Sequence, residues 1–161
     1  MNKVAELIEE FGRIYSGDPW YGPSMREVLT GISAAEAAVH PLPAAHSVWD
    51  LVLHMTGWTE EVARRVEGGE PSLPQAGDWP ALPVVSAATW DAALAGLESA
   101  HERLLRALEG FPEERLSEMV GDARDLPLGT GVSFEGMLRG LVQHHAYHTG
   151  QIALLKKALK E

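Results

Sequence analysis

Cysteine is absent from the chain. That excludes disulfides, thiolate-ligated zinc and a thiol of the protein's own as nucleophile. Positive charge is scarce: 13 Lys and Arg against 23 Asp and Glu leave a net charge of -10. Such a surface repels phosphate backbones and anionic lipid, so neither nucleic acid nor a membrane surface is expected as a partner. Long apolar runs are missing too; charge, Gly or Pro breaks each one well before the ~20 residues of a membrane span. The opening Met1-Asn2-Lys3-Val4-Ala5-Glu6 places acid where a signal peptide has a basic flank and an apolar run. The expectation is a soluble, cytoplasmic protein. At 161 residues it has the length of one domain, 1–161, whose core needs no covalent staple.

Glycine and proline are unevenly spread and cut the chain into four helical stretches. The first, about Asn2 to Tyr15, sets Val4, Leu7, Ile8, Phe11 and Ile14 at helical spacing, and Ser16-Gly17-Asp18-Pro19 ends it by turn chemistry. A short helical piece is expected around Ser24 to Ile32, and Ser33-Ala34-Ala35-Glu36 reads as a capping box. The second stretch opens at the cap Ser47 and carries the stripe Val48, Leu51, Val52, Met55, Trp58, Val62 and Val66 up to Gly68-Gly69. Pro71, Pro74, Pro80 and Pro83 then mark a long irregular connection in which Trp79 serves as an anchor. The third stretch runs from about Thr89 to Leu108 and stops at Gly110-Phe111-Pro112. A second long connection holds Gly121, Pro127, Gly129 and Gly131, and the last stretch starts at the cap Ser133 and runs almost to the C-terminus. Nothing reads as a strand of convincing length; Val84-Val85 is at most a stub. The fold class is all-α, a four-helix bundle with long crossover connections, and those connections are expected to cover one mouth of the bundle.

The seven histidines are the compositional oddity. His144 and His148 are four apart and stack on one face of the last helix, the face that Leu141 and Leu155 mark as buried. Each imidazole carries a donor and an acceptor that need partners once buried, and an i, i+4 pair is a natural clamp for a divalent ion. His54 lies at the edge of the apolar stripe of the second stretch, so two helices can aim imidazoles at one interior. Together His54, His144 and His148 offer three nitrogens with open positions for water or substrate. Zn²⁺, Ni²⁺ and Fe²⁺ all suit imidazole ligation. The general-base Glu of a His-Glu-x-x-His peptidase is replaced by His145, which disfavours that mechanism. His145 itself is expected at the boundary of the buried face. His40 is expected in a loop, His46 at a helix end, and His101 near the stripe of the third helix. Gln151 is placed to hold a water or steady a ligand, and Gly150 to allow a close helix approach or room for something bound. Tyr147 is expected to pack between helices, and Asp50, Glu60 and Glu61 to form a solvated face.

The segment His144-x-x-Tyr147-His148-x-Gly150-Gln151-Ile152, preceded by His46-Ser47-Val48-Trp49-Asp50-Leu51-Val52-Leu53-His54, resembles the DinB/YfiT-like superfamily. Asp78-Trp79-Pro80 and Trp90 are similar to that family as well, and the likeness covers nearly the whole chain in the expected order. The resemblance implies a four-helix bundle, a divalent metal on three histidines that map onto His54, His144 and His148, and a homodimer. It also implies chemistry on a small-molecule substrate. Relatives include mycothiol-dependent maleylpyruvate isomerase, bacillithiol S-transferases and metal-dependent hydrolases. His145 departs from the acid often found at its position. Without cysteine, this chain would take its nucleophile from a low-molecular-weight thiol cosubstrate or from water, as an S-transferase or a hydrolase. The alternative is a non-catalytic, metal-binding, stress-associated protein.

Overall fold

The computed structural model describes residues 2–160. Four long helices form the frame: α1 (Lys3–Ser16), α4 (Val48–Val66), α5 (Ala87–Glu109) and α6 (Phe134–Ala158). Two one-turn helices, α2 (Met25–Leu29) and α3 (Ala34–Ala38), fill the connection between α1 and α4. Side-chain caps set the helix starts. Asn2 accepts from the Ala5 N–H, and Ser33, Ser47 and Ser86 each close a capping box with the residue three positions on. α5 therefore begins at Ala87, behind its cap Ser86, and not at Thr89, which is the reciprocal partner in that box. α4 packs against α5 and α6, and α1 packs against the same two. No described helix is long and apolar enough to cross a membrane.

The second long connection is not irregular throughout. After a 3-10 turn (Glu113–Ser117), β1 (Met119–Asp125) and β2 (Thr130–Ser133) pair antiparallel, with Met119 opposite Ser133 and Val120 opposite Val132. This hairpin corrects the sequence expectation. Val120 is the only fully buried residue of β1, so no apolar alternation announces the strand. Gly131 stands at φ 72°, and a Cβ there would lie 2.5 Å from the Arg124 Cα; the strands approach too closely for any side chain. Val84 and Val85 form no strand and are exposed.

The core falls into two apolar clusters. One joins α1 to the C-terminal halves of α4 and α5 and the start of α6, through Leu7, Phe11, Val62, Leu104, Leu108 and Leu138. The other joins α2 and α3 to the opposite halves, through Met25, Trp49, Met55, Trp90, Leu97 and Ile152. Between them along the helices lie the buried polar residues His54 and Thr59 of α4, His101 of α5, and His145, His148 and Thr149 of α6. The bundle thus carries a polar belt at mid-height, where buried donors and acceptors need partners.

Candidate metal centre

In that belt α4 supplies His54, while α6 supplies His144 and His148 one turn apart. The Nε2 atoms of His54 and His144 are 2.9 Å apart, and those of His148 and His144 3.1 Å. One ring nitrogen from each residue lies within 4.8 Å of the others. The His148 ring stands nearly perpendicular to both neighbours, at 86° to His54 and 88° to His144. Nitrogens therefore converge without the rings stacking. His54 and His148 are buried, and His144 is half-buried.

Two of the three rings have fixed orientations. His54 Nδ1–H donates to the Asp78 carbonyl at 2.7 Å, with the Asp78 carboxylate 3.2 Å away. That carboxylate in turn accepts from Trp58 Nε1–H at 2.7 Å. His148 Nδ1–H donates to Gln151 Oε1 at 2.5 Å. Both rings therefore present an Nε2 lone pair to the centre. His144 can offer one N–H there at most, so three nitrogens share no more than one proton. Charging His144 or His148 does not resolve this. Burial first, then the neighbouring His148 and His54, holds His144 down at about 3, and burial also lowers His148. What fits an electron-rich, proton-poor trio is a cation. Nitrogens each about 2.0–2.1 Å from one ion would sit about 2.9 Å apart at a right angle and about 3.4 Å apart at a tetrahedral one, and the spacings of 2.9 and 3.1 Å lie in that range. An all-imidazole set suits zinc, nickel or iron.

The proline-rich connection encloses the centre. Trp79 lies sandwiched between His46, 3.4 Å away between ring centres, and His54, 3.9 Å away, each within 4° of parallel. Trp79 thus anchors the loop as the sequence suggested, yet it stays 38% exposed and is not withdrawn from the surface as expected, and His46 serves that stack instead of a helix end. A cavity of about 560 Å³ opens beside the triad, between α4, α6 and the hairpin. Tyr147 lines it, 65% exposed and edge-on to His148; it does not pack between helices as expected.

The other histidines stay outside the trio. His145 is fully buried, not a boundary residue. Its Nε2–H donates to Thr59 Oγ1 at 3.0 Å, because the Thr59 hydroxyl is committed to the Met55 carbonyl. The Phe11 ring meets it edge-on, and burial drives its pKa far down. His101 stacks on Tyr15 at 4.2 Å, and burial lowers it to about 4. His40 is bound to Asp50 at 2.9 Å, and Asp50 also closes the α4 capping box. Gly150 is exposed with open space around it, so it marks neither a close approach nor a binding site. Glu60 is solvated as expected, but Glu61 is buried against Arg65, Nε to Oε1 2.7 Å. Burial pushes the Glu61 carboxyl upward, and hydrogen bonds from Arg64, Ser72 and Arg65 outweigh it, leaving the pKa below the usual range. The orienting role of Asp78 and the Trp58 donor behind it were not legible, since both depend on where the loop lands.

A family model described as the DinB superfamily matches residues 23–152. Among solved structures, a conserved protein from Enterococcus faecalis is similar over 99% of this chain and 98% of its own, with 19% identity and a TM-score of 0.74; at that identity the likeness concerns the fold. No curated protein matches the chain.

Proposed function

The chain belongs to the DinB superfamily, and on that premise we propose that it is a metal-dependent enzyme acting on a small electrophile. His54, His144 and His148 hold a divalent cation, of zinc, nickel or iron. The observation that carries this reading is the convergence of their Nε2 atoms, with two Nδ1–H groups already committed to Asp78 and Gln151. A divalent cation held there would lower the pKa of a coordinated thiol or water enough to ionise it at neutral pH. The remaining work belongs to the chain. Asp78 and Gln151 keep two lone pairs aimed inward, Trp79 shields one flank of His54, and the apolar cavity wall of Trp58, Leu141 and Met137 limits water around a bound substrate. The absence of cysteine supports an external nucleophile, a small thiol for an S-transferase or water for a hydrolase.

Elemental analysis of purified protein tests the centre: about one divalent ion per chain is expected, and His148→Ala should lose it. An unchanged stoichiometry in the variant sinks the reading. One observation favours a non-catalytic metal-binding protein instead. Asp78, the carboxylate beside the trio, is already occupied by His54 and Trp58 and makes a poor general base. Steady turnover of an electrophile panel with small thiols supplied separates the two readings, since a binding protein stops at stoichiometric uptake.

A further inference from the structure

We propose that the cavity beside the triad takes a small ligand bearing a carboxylate, and that Arg124 on the hairpin binds it. This deepens the metal-dependent reading and rests on it. The cavity is lined by His54, His144, His148 and Asp78 and also by the hairpin residues Arg124 and Leu126. Trp58, Leu141 and Met137 add apolar surface to the same lining. Its volume lies within the range of small-molecule sites.

Two guanidiniums line it, and their situations differ. Arg65 is spent: Nε donates to Glu61 Oε1, and Nη2 donates to the carbonyls of Ser72 at 3.0 Å and Leu128 at 2.8 Å. Arg124 donates from Nη1 to the Thr130 carbonyl at 2.9 Å and makes no ion pair among the described residues. Every other arginine of the chain pairs with a glutamate. In a protein of net charge -10, the one arginine without a carboxylate partner among the described residues is one of the two that line the cavity. Arg124 is exposed, and the hairpin fixes its backbone, because Gly131 lets β2 press against the Arg124 backbone and Thr130 Oγ1 donates to the Ala123 carbonyl at 2.8 Å. The remaining N–H groups match a carboxylate in forked geometry. Among the described residues that line the cavity only Arg124 is a cation without a carboxylate partner, and with Asp78 in the same cavity this favours a monoanion over a phosphate dianion.

The carboxylate belongs either to the thiol or to the electrophile, and the test separates them. Cobalt-loaded protein is titrated with mercaptohexanoate and with uncharged mercaptohexanol, following the thiolate-to-cobalt absorption. The acid should bind at least about tenfold tighter than the alcohol, the scale of one charge-assisted hydrogen bond. Arg124→Gln should erase that preference and leave the alcohol's affinity unchanged, and Arg124→Lys should retain part of it. Calorimetry with hexanoate, on protein saturated with mercaptoethanol, assigns the source. Arg124-dependent binding places the carboxylate on the electrophile; no binding, with the mercaptohexanoate preference intact, places it on the thiol. Equal affinities for acid and alcohol, or a preference that survives Arg124→Gln, overturn the proposal. If no cobalt absorption develops, the metal reading falls, and hexanoate binding alone then decides the role of Arg124, its absence counting against it.

Discussion

The imidazole of His54 lies flat against the indole of Trp79, 3.9 Å between ring centres and 4° from parallel. The loop that follows α4 thereby holds one of the three converging nitrogens in place. Aromatic stacking of this kind contributes about 0.5–1.5 kcal/mol beyond its buried area. Trp79→Ala should therefore weaken metal binding several-fold, and Trp79→Phe by less. Competition against a chromophoric chelator measures both; an unchanged affinity in Trp79→Ala would show that the Asp78 carbonyl suffices.

Gln151 acts on His148 through the opposite ring nitrogen. Gln151→Leu keeps the volume but removes the acceptor of the Nδ1–H. Loss of such a supporting contact typically costs about 10–100-fold in metal affinity. The same chelator competition should find a drop in that range, while unfolding of the metal-free protein changes little. A variant with unchanged affinity would mean that packing alone fixes the ring.

The buried pair of Glu61 and Arg65 has both side chains 3% exposed or less. Glu61→Ala leaves a buried guanidinium without its counter-charge, which costs about 3–5 kcal/mol. For a chain of this size that should lower Tm by roughly 10 °C. The double replacement Glu61→Leu with Arg65→Met should recover much of the loss in the same thermal melts, because neither charge is then stranded.

His101 makes stability depend on acid. Its folded pKa of about 4 lies below the unfolded value near 6.5. Above about pH 6.5 both states are neutral and its contribution is fully present. As pH falls from there towards about 4, the unfolded chain gains a proton that the folded one refuses. Stability is then lost at up to about 1.4 kcal/mol per pH unit. Glu102 opposes this weakly, by favouring the charged ring. His101→Phe keeps an aromatic surface against Tyr15, so urea midpoints of the metal-free variant should decline less over this window than those of the parent. Parallel profiles would remove His101 as a source of acid sensitivity.

Helix positions were legible because caps and stripes are local signals: Ser47, Ser133 and the α4 stripe act within a turn or two. The face shared by His144 and His148 was legible for the same reason. Depth was not. Spacing does not say that the level of His54 along α4 matches that of His144 along α6, which loop lengths and packing decide. His145 misled because α6 buries two faces at mid-height, one towards His54 and another towards Phe11 and Thr59, so a residue one step off the first face need not reach solvent. The hairpin hid for want of alternation, and Arg124 has no place over the cavity until those strands pair.

Arg65 touches the loop after α4 through the Ser72 carbonyl, the hairpin tip through the Leu128 carbonyl, and α6 through the Met137 sulfur at 3.8 Å. Two coverings distant in the chain are thus tethered to one side chain rooted in the bundle. Each covering is held by its own bond to that guanidinium. Replacing Arg65 would therefore release a bond from the loop after α4 and another from the hairpin in a single step.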